Sequence, residues 1–156
     1  MKQILIEWIQ LILIALAMFL ILVLSQSTLA AETKQLEKTI VREAKRAGID
    51  PELALAIAKV ESGLNDKMVG KLGEVGVFQL RPEYHAVVKG DTTNNIRVGV
   101  RYLAHLHDKC GRVYGAAYFI CFNLGENYRR IRYPKLFPYY VRVMRALQTR
   151  TISFNY

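Results

Sequence analysis

The 156-residue sequence contains only two cysteines, and neither lies near the end of its apolar N-terminal block. A lipid-modified anchor at that position, which needs a cysteine, is therefore not expected. The sequence also lacks an internal repeat and a low-complexity tract, which excludes a solenoid protein. The length suffices for one compact domain but not for two.

Ligands for a metal ion are equally scarce. The three histidines are His85, His105 and His107, and the last two are two residues apart, so a helix would point them to different faces. No spaced set of Cys, His and carboxylate residues accompanies them. We therefore expect neither a metal ion nor another cofactor, and we interpret the histidines as surface or interface residues.

The N-terminus carries the longest hydrophobic run. Leu11 to Leu24 is an unbroken apolar block of fourteen residues, and residues 4–24 could also span a bilayer. Small and polar residues follow, with a possible cleavage point after Ala30 or Ala31. This layout is typical of a signal peptide, and a retained membrane anchor through residues 4–24 is the alternative. Either reading predicts an exported protein of the periplasm or cell envelope.

We divide the chain into a signal peptide or anchor (1–31), a single domain (32–150) and a short tail (151–156). The net charge of +9 favours a polyanionic partner. The tail from Arg129 through Lys135, Arg142 and Arg145 to Arg150 interleaves basic and aromatic residues, a pattern that would suggest nucleic acid in a cytoplasmic protein. Because the chain is exported, we expect no nucleic acid and favour the anionic cell wall or the membrane surface.

The pattern after residue 31 predicts an all-α fold. Leu36, Ile40 and Ala44 follow helical spacing up to Gly48, and Asp50 caps a second, largely apolar helix that ends at 61–63. Residues 64–93 predict a loop with a short β-hairpin or ribbon. We expect Asn94 or Asn95 to cap a helix ending at Gly111, a further helix over 113–124, and a last helix framed by Pro134 and Pro138 that runs to Leu147.

The two cysteines, Cys110 and Cys121, lie in the exported part, where a disulfide is permitted. An eleven-residue separation across a helix junction does not obviously bring them together. Two separate buried thiols are therefore slightly favoured, and a bridge stays open.

Glu61 is the acid that local physics singles out. It follows eight nearly apolar helical residues and stands in the last turn, where the helix dipole disfavours a negative charge. Both effects predict a raised pKa for its carboxyl group. A carboxylic acid that is protonated near neutral pH can cleave a glycosidic bond by general-acid catalysis. An exposed helix-end glutamate is the alternative.

Five motifs surround this acid in a fixed order. They are Glu61-Ser62-Gly63-Leu64-Asn65, Gly76-Val77-Phe78-Gln79-Leu80-Arg81-Pro82, Asn95-Ile96-Arg97-Val98-Gly99-Val100-Arg101-Tyr102-Leu103, Phe122-Asn123-Leu124-Gly125 and Tyr139-Tyr140-Val141-Arg142 with Arg145. The set resembles the catalytic domain of the SLT-type (soluble) lytic transglycosylases, whose fold is related to goose-type lysozyme. The resemblance covers about residues 49–147. It implies a small lysozyme-like helical domain, here preceded by a hydrophobic N-terminal helix.

The resemblance also implies roles for individual residues. Glu61 matches the family's catalytic glutamate, which first protonates the glycosidic oxygen and then acts as a base. The residues matched to substrate contact or to packing of the groove are Ser62, Phe78, Gln79, Asn123 and Tyr140. A single carboxylic acid suffices in this family because the C6 hydroxyl of the substrate is the nucleophile and yields a 1,6-anhydromuramoyl end.

Some positions depart from the family pattern. Phe122 replaces a tyrosine whose hydroxyl could bond near the acid, and Gly70 stands where some relatives have a serine. Phe78 replaces a methionine. Leu124 and Glu126 replace an alanine and a proline. These changes leave Glu61 and Gln79 in place but predict a weak or specialised enzyme.

The leading hypothesis is a peptidoglycan lytic transglycosylase that cleaves the β-1,4 bond between MurNAc and GlcNAc. A lysozyme-type hydrolase that uses Glu74 as a second acid is one alternative, although Glu74 reads more simply as a solvated loop residue near the groove. A non-catalytic wall-binding or assembly protein is another. The small size favours a local cutter that serves an envelope-spanning secretion, pilus, conjugation or phage machine.

Overall fold

The structure is a computed structural model that describes residues 2–125 and 137–153. The chain divides into two units, Met1–Leu36 and Glu37–Tyr156. The described residues are mainly helical and contain no β-strand, which confirms the predicted all-α class. The predicted start of the last helix at Pro134 and the basic run 129–133 lie outside the described residues.

The N-terminal unit is the larger part of helix α1, Lys2–Arg46. No glycine or proline interrupts residues 2–46, so nothing in the backbone ends the helix before Gly48. Its large apolar side chains between Trp8 and Leu29 are exposed, with relative exposures of 47% to 67%. Among the described residues it is the one helix long and apolar enough to cross a membrane.

The second unit begins with the end of α1 and a sharp turn into α2. Gly48 adopts a φ of +70°, which glycine tolerates, and Asp50 accepts a 2.9 Å hydrogen bond from the Glu52 amide. Helix α2, Pro51–Ser62, ends at Gly63, which is left-handed with its amide bonded to the Lys59 carbonyl. The predicted boundaries of this helix are confirmed.

The core of the second unit forms around α2, which packs mainly against α5, Phe137–Ser153. Six consecutive residues of α2 are buried because neighbours cover it on several faces: Leu53, Ala54, Leu55, Ala56, Ile57 and Ala58. A fully buried apolar side chain contributes about 1.5–3 kcal/mol to folding, so this helix anchors the domain.

An acid is also buried in this unit, at the corner between α1 and α3, Thr92–Tyr114. Glu43 is 6% exposed and accepts a 2.9 Å hydrogen bond from Arg46. Arg42 lies 3.4 Å and Arg97 lies 3.8 Å from its carboxylate oxygens. Three cations thus compensate the burial of one carboxylate.

The loop between α2 and α3 contains isolated β-bridges, Val69 to Val75 and Val75 to Leu80, instead of the predicted hairpin or ribbon. Asn95 holds it from the α3 side. Its amide donates to the Val75 carbonyl at 2.8 Å, and its oxygen accepts from the Phe78 amide at 2.9 Å. Asn95 is 2% exposed, so this side chain replaces the strand pairing that the loop lacks.

The predicted cap of α3 is therefore wrong. Asp91 is the N-cap, and its carboxylate accepts a 2.8 Å hydrogen bond from the Asn94 amide. Asn95 cannot cap the helix because its side chain is used by the loop. The predicted inward residues Ile96, Val100, Leu103 and Leu106 are all buried, as the spacing indicates.

Helix α3 continues past the predicted stop at Gly111 to Tyr114. The predicted helix over 113–124 is also wrong, because Gly115 has a φ of +55° and breaks the chain there. A 3₁₀ turn, Gly115–Ala117, leads to the short helix α4, Ile120–Leu124. The predicted stop at Gly125 is confirmed.

Cys110 and Cys121 form a disulfide, with Cα atoms 6.6 Å apart, and both are fully buried. The preference for two separate thiols is thus wrong. The break at Gly115 folds α4 back onto α3, and this reversal brings the two cysteines together. A continuous helix over 113–124 would have kept them apart.

Candidate active site

A cavity of about 850 Å³ opens beside the C-terminal end of α2. It is bordered by α2, by the loop that follows it, by α3 and by α4. Its lining residues are Glu61, Leu72, Glu74, Gln79, Leu80, Arg81, Tyr84, His85, Tyr102, His105, Phe122, Asn123, Leu124 and Gly125. Four of the predicted site residues, Glu61, Glu74, Gln79 and Asn123, therefore share one cavity.

Glu61 is the penultimate residue of α2 and is half-buried. Burial raises the pKa of its carboxyl group above the ordinary value of 4.5, and the charge of Glu74 raises it further. A hydrogen bond from Tyr139 and the cation of Arg142 act in the opposite direction. The net shift is upward, so the acid keeps its proton to a higher pH than an exposed glutamate.

Tyr139 is the direct partner of this acid. Its phenol donates a 2.7 Å hydrogen bond to Glu61 Oε1, and its side chain is 2% exposed. Burial, reinforced by the negative charge of Glu61, raises the pKa of Tyr139 well above its usual value, so the phenol remains a donor. Two elements far apart in sequence, α2 and α5, thus meet at Glu61.

The predicted site residue is the neighbouring tyrosine, Tyr140. Tyr140 does not line the cavity; it stacks on Phe119 with ring centroids 5.8 Å apart. Tyr139, Val143 and Ala146 share the buried face of α5, but Tyr140 begins an equally apolar i, i+4, i+7 series, so helical phase alone does not choose between the two tyrosines. A contact of Tyr140 with substrate remains a prediction.

Tyr139 also supplies the hydroxyl group that Phe122 lacks. Phe122 is buried, and its ring packs 6.0 Å from Phe78 and 5.5 Å from Tyr102. The hydroxyl that a tyrosine at 122 would bring is absent, but a phenol from α5 bonds the acid instead. The departure at 122 therefore does not leave Glu61 without a hydrogen-bond donor.

Gln79 lies in the cavity wall with a strained backbone. Its φ is +45°, which is rare for a residue other than glycine and is found at sites that constrain the chain. Its amide nitrogen donates to the Gly76 carbonyl at 2.8 Å and to the Met68 carbonyl at 3.2 Å. These bonds fix the side chain, so the residue presents a rigid amide to the cavity.

Glu74 and Gly70 form a local unit. The Glu74 carboxylate accepts a 3.0 Å hydrogen bond from the Leu72 amide and lies against Gly70. A β-carbon at position 70 would collide with this carboxylate and would approach Gln79 Oε1 to 2.9 Å. The glycine at 70 therefore gives the Glu74 carboxylate its place beside Gln79.

Two other predicted substrate residues lie behind the cavity. The Ser62 hydroxyl donates to the Val77 carbonyl at 2.8 Å, accepts from the Asn65 amide at 3.2 Å, and is buried. It ties the end of α2 to the loop. Phe78 is fully buried against Gly99, where a β-carbon would collide with its ring. Both support the cavity, and neither lines it.

His105 and His107 are exposed, as predicted for surface residues, whereas His85 is half-buried. His85 and His105 line the cavity, on either side of Tyr102, and the rings of His85 and Tyr102 meet edge to face at 4.5 Å. Burial lowers the pKa of His85, which favours its neutral form. Nothing in the local sequence indicates this placement, because the loop brings His85 across to α3.

The family model described as "Transglycosylase SLT domain" matches residues 38–132. The fold is similar to that of an inactive mutant of the lytic transglycosylase Slt from Pseudomonas aeruginosa, with a TM-score of 0.50 and 22% sequence identity. The similarity covers 71% of this chain and only 21% of that longer chain.

The chain belongs to the SLT transglycosylase family, because the family model matches more than half of it. The structural similarity supports the lysozyme-like helical fold that the motifs predicted. The chain spans about a fifth of the length of that Pseudomonas protein.

Proposed function

We propose that this protein is a peptidoglycan lytic transglycosylase with Glu61 as its acid and base. The carrying observation is a single carboxyl group with a raised pKa, held by a buried phenol at the edge of a large cavity. A protonated acid beside a groove is what cleavage of a glycosidic bond requires. The family to which the chain belongs supports the same chemistry.

The proposed reaction balances without water. Glu61 gives its proton to the glycosidic oxygen between MurNAc and GlcNAc, and the bond from that oxygen to C1 of MurNAc breaks. The Glu61 carboxylate then takes the proton of the MurNAc C6 hydroxyl while that oxygen bonds to C1. The product is a 1,6-anhydromuramoyl end, and Glu61 is protonated again for the next cycle.

In this scheme Tyr139 orients the acid, and Gln79 contacts the substrate. The phenol of Tyr139 orients the Glu61 carboxyl group and stabilises its charged form after proton transfer. Gln79, whose amide nitrogen donates to two carbonyls, and Asn123 line the same cavity, and we expect both to contact the sugar. Because the C6 hydroxyl of the substrate is the nucleophile, the scheme needs no second catalytic carboxylate.

Product analysis of digested cell walls tests the proposal. The full chain in detergent, incubated with peptidoglycan sacculi, should release anhydromuropeptides, which mass spectrometry separates from hydrolysed products by one water. Glu61→Gln should reduce the release by about 10²- to 10⁴-fold, the usual contribution of a general acid. Glu83→Gln, at an exposed loop acid outside the cavity lining, should retain activity.

The second candidate function is a lysozyme-type hydrolase, and the position of Glu74 supports it. Glu74 lines the same cavity as Glu61, and its charge raises the pKa of that acid. Two neighbouring carboxylates are the equipment of a hydrolase. Products with a reducing muramic acid end that disappear in Glu74→Gln would establish hydrolysis. Unchanged wall binding and biological effect in Glu61→Gln would instead establish a non-catalytic wall-binding protein.

We further propose that the chain is exported and that residues 4–24 engage a membrane. The support is the exposed apolar surface of α1, which water disfavours. The mass of the protein purified from cell envelopes distinguishes the two forms. An intact chain indicates a retained anchor, whereas a chain that begins after Ala30 or Ala31 indicates a cleaved signal peptide.

A further inference from the structure

We infer that Arg142 is a positioning residue for Glu61, which acts by packing its guanidinium on the ring of Tyr139 and by placing a cation near the acid. The inference rests on the proposed role of Glu61 as acid and base. Arg142 belongs to the fifth motif, but the resemblance assigns it no role.

Two contacts connect the exposed Arg142 to Glu61: Arg142 packs on the ring of Tyr139, and Tyr139 bonds to Glu61. Arg142 and Tyr139 are three residues apart on α5, so they lie on one face of the helix. The guanidinium carbon stands 5.5 Å from the centroid of the Tyr139 ring, a cation–π distance. The phenol of that ring then donates to Glu61 at 2.7 Å. The exposed cation thus holds a buried ring that in turn holds the acid.

The charges around Glu61 give this cation a second effect. Tyr139 and Arg142 face it from α5, and Glu74 faces it from the loop after α2. His85 and His105 line the same cavity farther along. Burial and Glu74 raise the pKa of Glu61, and Arg142 supplies the cationic counterweight. A group that must give a proton and then take one back works best when neither form is strongly favoured.

Arg142 is available for this role. It is exposed, and none of the ion pairs among the described residues includes it. Most of the other arginines near the core serve elsewhere: Arg42, Arg46 and Arg97 surround Glu43, and Arg81 pairs with Glu83. Arg145, one turn farther along α5, is also exposed and provides a matched control.

The pH profile of sacculus digestion by the full chain in detergent is the first test. Activity falls at high pH as Glu61 loses its proton, so Arg142→Gln should move this alkaline limb to higher pH. We expect the maximal rate to fall about 3- to 10-fold, the range that a cation–π contact supports. Arg142→Lys keeps the charge and should keep the limb in place. Arg145→Gln should match the wild type.

A second readout does not depend on activity. The carboxyl ¹³C signal of Glu61, assigned by its absence in Glu61→Gln, reports the pKa of this group directly. Arg142→Gln should raise that pKa, and the difference should shrink at high salt because the cation is exposed. A wild type that releases no glycan products would refute the proposed function, while this titration would still decide the role of Arg142.

The inference is overturned if Arg142→Gln leaves both the alkaline limb and the Glu61 titration unchanged, even where the rate falls. A second test uses the Tyr139→Phe protein, which keeps the ring but lacks the hydroxyl group. The inference is also overturned if Arg142→Gln slows this protein as strongly as it slows the wild type and again leaves the alkaline limb at the same pH. The expected result is a smaller loss of rate in the Tyr139→Phe background, since the phenol through which Arg142 acts has been removed.

Discussion

Two acids lie in low-dielectric surroundings in this domain, and the protein treats them in opposite ways. Glu43, at the corner of α1 and α3, is almost completely buried and surrounded by three arginines. Glu61, at the end of α2, has a phenol as its hydrogen-bond donor and a second acid nearby. Full compensation makes an acid structural, whereas incomplete compensation leaves its proton available for chemistry.

Removal of the Cys110–Cys121 disulfide should have the largest effect on stability while leaving both acids untouched. A closed loop with a sequence separation of eleven contributes about 3 kcal/mol through the entropy of the unfolded chain. Urea unfolding of the full chain with and without reductant measures the loss. A Cys110→Ala/Cys121→Ala protein should be insensitive to reductant, and its alkaline limb should stay at the wild-type pH.

Glu43→Gln should weaken the domain without altering the chemistry. The substitution removes charge-assisted hydrogen bonds, which contribute roughly 1.5–3 kcal/mol. Urea unfolding should show this loss, whereas the rate per folded molecule and the pH profile should remain unchanged. A shifted profile would contradict the division into a structural and a reactive acid. Glu37→Gln, at an acid six residues earlier in α1, serves as a comparison.

Tyr139→Phe should impair the reactive acid and spare the structural one. Loss of the 2.7 Å hydrogen bond frees the Glu61 carboxyl group to rotate, and we expect a rate reduced about 10-fold, equivalent to a hydrogen bond of ordinary strength. Because this bond lowers the pKa of Glu61, its removal should also move the alkaline limb to higher pH. Tyr140→Phe should leave the limb unmoved.

The smallest expected effect is the change in the free energy of unfolding caused by Glu61→Gln. The folded pKa of Glu61 is raised above the unfolded value of 4.5, so its proton stabilises the fold at low pH, and this contribution is lost as the pH rises through the folded pKa. Glutamine carries no charge to bury. Glu61→Gln should therefore gain stability relative to the wild type at pH 8 but not at pH 4, as measured by thermal unfolding. An equal difference in stability at pH 4 and pH 8 would show that folding does not raise the pKa of Glu61.

Much of the fold follows from local sequence. Asp50 and Pro51 begin α2 as predicted because capping and the proline constraint act over a few neighbouring residues. The inward face of α3 follows from spacing alone. The cap at Asp91 was missed since Asn95, an equally good capping residue, is committed to the loop by long-range hydrogen bonds.

The site was predicted less completely than the fold. Glu61 and Gln79 stand in recognisable motifs, and both line the cavity. The choice of Tyr139 over Tyr140 depends on how α5 turns against α2, which neighbouring letters do not specify. The disulfide depends in the same way on the chain reversal at Gly115, where a single positive φ decides the geometry.

By itself, the sequence determined the helical class, the apolar N-terminal segment and the family resemblance, and it singled out Glu61 as the proposed acid. These follow from periodicity, composition and short motifs, all of which are local properties. Only the tertiary structure decided which phenol meets Glu61, which cations surround Glu43 and where Glu74 lies. Those pairings join residues up to 78 positions apart, and their energies arise from burial that exists only after the helices have packed.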